Sequence, residues 1–149
     1  MHAAVSAARN SALYVTVALL SLAGIVDSAI ALQRHYAKSA TLFCEIGQQF
    51  NCDIVNRSEY STIEGIPVAA IGIIGYAVLF GFAAFFGARP ETPNRLLIAS
   101  TAGLLFALYL TYIEGRELAT WCVLCLISQA LIFLICVLAA FIKLRSPQP

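Results

Sequence analysis

WCVLCLISQALIFLICVLAAFI, residues 121–142, is the stretch whose reading decides the fold. From Leu126 to Ile142 it carries no charge, and as a helix rising about 1.5 Å per residue it is long enough to cross the roughly 30 Å hydrocarbon layer of a bilayer. Its first turn holds Cys122 and Cys125, spaced so that both sulfurs lie on one helical face. Trp121 suits the boundary between headgroups and hydrocarbon, so the pair is expected near a membrane surface. The start of a helix also favours the thiolate. A reactive Cys-x-x-Cys at the top of a membrane span is therefore the first expectation.

Three more apolar runs of similar length lie upstream, over 11–32, 67–87 and 96–114. The first ends at Leu32-Gln33-Arg34-His35 without a small-residue cleavage site, so it reads as a retained span. Pro67 suits the first turn of the second helix, and Thr120 is placed to cap the fourth. The chain has 149 residues, 60% of them hydrophobic and 11% charged, with a mean hydropathy of +0.84. That composition belongs to an integral membrane protein. A net charge of +1 without any Lys/Arg run carries no argument for nucleic acid, and none is expected as a partner. The short links at 88–95 and 115–120 force antiparallel neighbours, so the fold class is an all-α four-helix membrane bundle, a single domain over 1–149. One long loop, 33–65, joins the first two spans.

Four spans put both termini and the 88–95 link on one side, and the long loop and the 115–120 link on the other. Arg9, Arg89, Arg95, Lys143 and Arg145 mark the first side as cytoplasmic. Cys44 and Cys52 in the loop, and Cys122 and Cys125 at the fourth span, then share the extracytoplasmic side, where disulfides persist. A loop pair long enough to fold over a helical pair is what electron relay by thiol exchange needs. The same cysteines also suit two structural disulfides bracing a non-enzymatic tetraspan protein, or a zinc site, although the loop spacing matches zinc sites poorly. Cys136, among Leu134, Ile135, Val137 and Leu138, reads as a packing residue.

Two polar residues fall at the same depth as the helical pair. Asp27 is a carboxyl within hydrocarbon, a costly placement that points to proton delivery or to a bond with a neighbouring helix. Gln129, four residues beyond Cys125 on its face, suits either a carbonyl ligand beneath the sulfur or an interhelical hydrogen bond. Tyr109 and Tyr112 suit interfacial positions or a pocket wall.

Phe43-Cys44-Glu45-Ile46-Gly47 through Asn51-Cys52, then Ser58, Gly72 and Tyr76, and finally Trp121 to Cys125, resemble the vitamin K epoxide reductase family over nearly the whole chain. A wide loop pair followed by a late Cys-x-x-Cys distinguishes that family from the DsbB-type quinone reductases, whose Cys-x-x-Cys lies in the first loop. The resemblance implies that Cys125 stands next to a quinone and that Cys122 exchanges with Cys52. It further implies that Cys44 meets a thioredoxin-fold partner of the DsbA type, and that Ser58 assists near the active site. Animal members hold the vitamin K head group with an Asn in the second helix and a Tyr one turn after the Cys-x-x-Cys. The matching positions here are Val68 and Gln129, so a respiratory quinone such as menaquinone or ubiquinone is expected rather than an epoxide. The likeness to bacterial members implies an inner-membrane enzyme with its cysteines facing the periplasm. Many of those members carry a fused thioredoxin domain; here the partner is expected in trans.

Overall fold

A computed structural model of the protein describes residues 2–37, 45–47 and 49–146. The described chain is mostly helical, and four of its helices are long and apolar enough to cross a membrane. They are α1 (His2–Tyr36), α3 (Val68–Phe85), α4 (Thr92–Ile113) and α5 (Val123–Arg145), with a short α2 (Cys52–Asn56) in the long loop. A π-helical turn, Glu114–Leu118, extends α4. The protein is thus the integral membrane bundle expected from its apolar runs.

Several helices outrun those runs. α1 begins at His2 and continues through Tyr36, and α5 continues to Arg145, because backbone hydrogen bonding goes on where polar side chains can reach water. α4 begins at Thr92-Pro93, using the proline's preset φ for the first turn. Pro67 and Thr120 do not hold the expected positions. Pro67 closes a two-residue strand and stands just before α3, while Cys122, in extended conformation, is the residue from which α5 starts.

α1 packs most extensively on α3 and on α5, and α4 packs on α5 and α3. The core between them comprises Val17, Tyr76, Leu79, Ala83, Leu96, Ile132, Ile135, Ala139 and Ile142. In lipid the contact is won by close backbone approach more than by burial from water. Glycines permit that approach: a Cβ at Gly24 would lie 2.4 Å from the Tyr76 ring, and one at Gly72 would lie 2.8 Å from Ser28 Oγ. Leu19, Ile74, Ile98, Leu105 and Phe133 point outward, as lipid-facing residues do.

The described residues of the loop and its junction with α3 form two small hairpins. β1 (Glu45–Ile46) pairs antiparallel with β2 (Phe50–Asn51), and β3 (Thr62–Ile63) pairs with β4 (Ile66–Pro67). The second turns through Glu64 and Gly65, both at positive φ, the two-residue turn whose twist matches that of its strands. Neither hairpin is legible from the apolar runs.

Candidate functional site

Asn51 and Trp121 bring the two cysteine regions together. The Asn51 N–H donates to the Trp121 carbonyl at 3.1 Å, and the Trp121 N–H donates to the Gln49 carbonyl at 2.8 Å. This bridge joins β2 to the residue before Cys122. Asn51 also caps α2, its Oδ1 accepting from the Asp53 N–H at 3.0 Å and the Ile54 N–H at 3.1 Å. One residue past Asn51, and one past Trp121, stands a cysteine. Cys52 opens α2, Cys122 precedes α5, and both are fully buried at 0% exposure. Asn51→Ala should therefore cost about 1 kcal/mol of stability, the usual worth of a lost helix cap. Thermal unfolding in detergent checks that figure, and unchanged unfolding would show that the cap is dispensable.

The Cys122 sulfur lies within hydrogen-bonding reach of both the Cys52 and the Cys125 thiols. Ala31, Val55 and Leu124 enclose the group. Asn56 adds a polar contact, its Nδ2 donating to Cys122 Sγ at 3.8 Å. Cys122 and Cys125 are both thiols here. The lowered thiol pKa expected of a helix start is not found at Cys122, which precedes the span. Its hydrogen bond to Cys125, together with burial, holds that thiol above the ordinary range.

Glu114 completes the cluster. It is 2% exposed, its Oε2 accepts from the Cys122 N–H at 3.1 Å, and its carboxylate also accepts from the Cys125 thiol. The π-helical turn and Ala119, at a φ of 47°, wrap the chain back on itself, so that the Thr120 N–H donates to the Glu114 carbonyl at 3.3 Å. In the sequence Glu114 is simply the last residue of the third apolar run, 96–114. The available signal is its position at the very end of an apolar run, beside a link, 115–120, too short to carry it away from Cys122.

A cavity of about 360 Å³ opens beside Cys125. That is within the roughly 300–1,000 Å³ of ordinary small-molecule sites. Its walls are mainly apolar, with Val68, Ile71, Leu79, Phe106 and Leu110 among them, and Glu114 and Cys125 stand on one side. Asp27 and Ser58, expected at the site, also line it. Asp27 is buried and near enough to Cys125 to act on it electrostatically. The Ser58 hydroxyl donates to the Val55 carbonyl at 2.8 Å, which fixes the end of α2. Tyr76, from α3, donates to the Ser128 carbonyl at 2.7 Å and meets its Oγ at 2.9 Å. His35 lines the same space and its Nδ1 hydrogen-bonds the Asn56 carbonyl.

Gln129 stands elsewhere. Its Oε1 accepts from the Thr111 hydroxyl across α4 and α5, and it is not among the residues lining the cavity. Of the two arrangements open to it, the structure adopts the interhelical bond. Tyr109 and Tyr112 face outward, and Arg116 stacks on the Tyr112 ring at 5.8 Å. Cys136 meets the Thr101 hydroxyl at 3.6 Å in the bundle, away from the other sulfurs. Cys44 lies outside the described residues.

The model of the Vitamin K epoxide reductase family matches residues 15–140. A search among curated proteins returns no match.

Proposed function

The chain belongs to the vitamin K epoxide reductase family, and from that premise we propose that it is a thiol:quinone oxidoreductase, passing electrons from a thioredoxin-fold partner through its cysteines to a quinone. Members of the family are membrane oxidoreductases. The contact that carries the finer reading is Cys122 standing between Cys52 and Cys125, because thiol exchange needs a sulfur that can bond to either neighbour. In the proposed order the partner meets Cys44, Cys44 exchanges with Cys52, Cys52 attacks Cys122, and Cys125 is released toward the cavity. The positive-inside distribution of Lys and Arg supports an extracytoplasmic position for these residues.

The residues present fit a quinone. A flat, apolar head group matches the volume and walls of the cavity, and Cys125 is the sulfur that lines it. A bound quinone supplies a two-electron, two-proton acceptor. Val68 forms part of the apolar wall, while Asp27 and Tyr76 supply polar groups that orient such a ring and hold protons near it. The interhelical bond of Gln129 removes it from that set in this conformation.

Purified protein in lipid nanodiscs tests the reading. Menaquinone or ubiquinone should oxidise the dithiol of a generic thioredoxin-fold protein only when this chain is present. The absence of quinone-dependent oxidation, with both dithiol and quinone intact, would refute it. Turnover with vitamin K epoxide in place of a quinone would instead identify an epoxide reductase using the same cysteines.

A further inference from the structure

Glu114 is a buried acid without a role in cysteine relay or quinone binding. A carboxylate in such a place needs partners, and those of this one lie on the reacting residues: the Cys122 N–H at 3.1 Å and the Cys125 thiol. The backbone carbonyl of Glu114, accepting from the Ala119 and Thr120 N–H groups, pins the turn. A Gln at this position could still accept the Cys122 N–H. What only an acid can do there is exchange a proton with Cys125.

We propose that Glu114 is the proton carrier of Cys125, taking the thiol proton when that sulfur makes a bond and returning it when the sulfur is released. This rests on Cys125 being a reacting sulfur, and not on what accepts its electrons. In the exchange step, the Cys52 thiolate attacks Cys122 Sγ, forming the Cys52–Cys122 bond and breaking Cys122–Cys125. The electron pair of the broken bond goes to Cys125, which takes the proton held by Glu114. No external oxidant enters that step. In the reverse sense, Cys125 loses its proton to the Glu114 carboxylate as its sulfur attacks.

The groups facing Glu114 make the assignment specific. They are Cys125 of α5 and Cys122, the residue just before that helix. Across the cavity stand Asp27 and His35 of α1 and Tyr76 of α3, whereas Cys52 of α2 meets Cys122. Of these, Glu114 alone is a carboxylate hydrogen-bonded to a cysteine thiol. Asp27 lines the same cavity and acts on Cys125 through space only.

The test reads Cys125 chemistry directly, without quinone or partner. Reduced full-length protein in nanodiscs is alkylated with iodoacetamide between pH 5 and 9, and modification of Cys125 is followed by mass spectrometry. Alkylation releases the thiol proton, so a carboxylate that accepts it accelerates the reaction. The natural protein should show a limb that rises as Glu114 ionises and then levels. Glu114→Gln should lose that limb and react about 100-fold more slowly near pH 6, the low end of what a positioned base contributes. Glu114→Asp should recover part of it. Fluorescence of Trp121, the single tryptophan, confirms that each variant keeps the folded site. A wild-type profile in folded Glu114→Gln overturns the proposal. So does faster alkylation across the whole range, the result expected if the carboxylate only repels a thiolate. If Glu114→Gln does not fold, the wild-type and Glu114→Asp profiles decide: a rate proportional to hydroxide in both, with no levelling limb, equally overturns it. Failure of quinone turnover would leave this result untouched.

Discussion

Replacing Cys125 by alanine should abolish quinone-dependent oxidation of a partner dithiol, by more than about 10³-fold, the scale on which losing a bond-forming group acts. The more diagnostic result is what accumulates. Without Cys125 to resolve it, the bond between Cys52 and Cys122 has no sulfur on the cavity side to displace it, so non-reducing peptide mapping should show that mixed disulfide enriched. Cys122→Ala should lose activity equally and show none. The contrast follows from the cluster itself, where Cys122 reaches both neighbours. Full activity in Cys125→Ala, or a Cys52–Cys125 bond in place of the expected one, would reverse the proposed order.

Gly24→Leu should destabilise the bundle by about 3 kcal/mol, the upper part of the range for overpacking a filled interior. Even the first carbon of the new side chain would lie 2.4 Å from the Tyr76 ring, so Tyr76 must move or α1 must separate from α3. Either movement disturbs the Tyr76 bonds to Ser128 and the cavity wall they support. Gly81 is the control on the same pair of helices, since a Cβ there meets nothing within 4 Å. Gly81→Ala should stabilise α3 by up to about 1 kcal/mol through helix propensity alone. Unfolding in mixed micelles of increasing SDS content measures both. Equal behaviour of the two variants would show that the close approach at Gly24 is not a constraint.

The spans and the grouping of Cys52, Cys122 and Cys125 were legible because they rest on length and order. A helix that must cross a fixed thickness announces itself in apolar residues, and short links leave little choice of neighbour. Glu114 was not legible because its contacts depend on a wide turn and a left-handed residue at Ala119, neither of which leaves a periodic trace. The hairpins were hidden for a related reason: strands of two residues are too short to show alternation. Gln129 was ambiguous because Thr111, its partner, stands on another helix, and depth alone does not pair side chains. Asp27 was easier, since a carboxyl in hydrocarbon is conspicuous whatever surrounds it.

The two backbone bonds between residues 49–51 and Trp121 have a kinetic meaning beyond their stabilising effect. They turn the encounter of Cys52 with Cys122 into a unimolecular event, and well-oriented intramolecular reactions reach effective molarities of about 10⁵ M and above. A free thiol at millimolar concentration cannot compete on those terms. In the proposed relay Cys122, fully buried, is thereby shielded from the ambient thiol pool and receives electrons through Cys52. If the proposed relay operates, the bridge ties the redox state of the membrane sulfurs to the loop rather than to the solution around it.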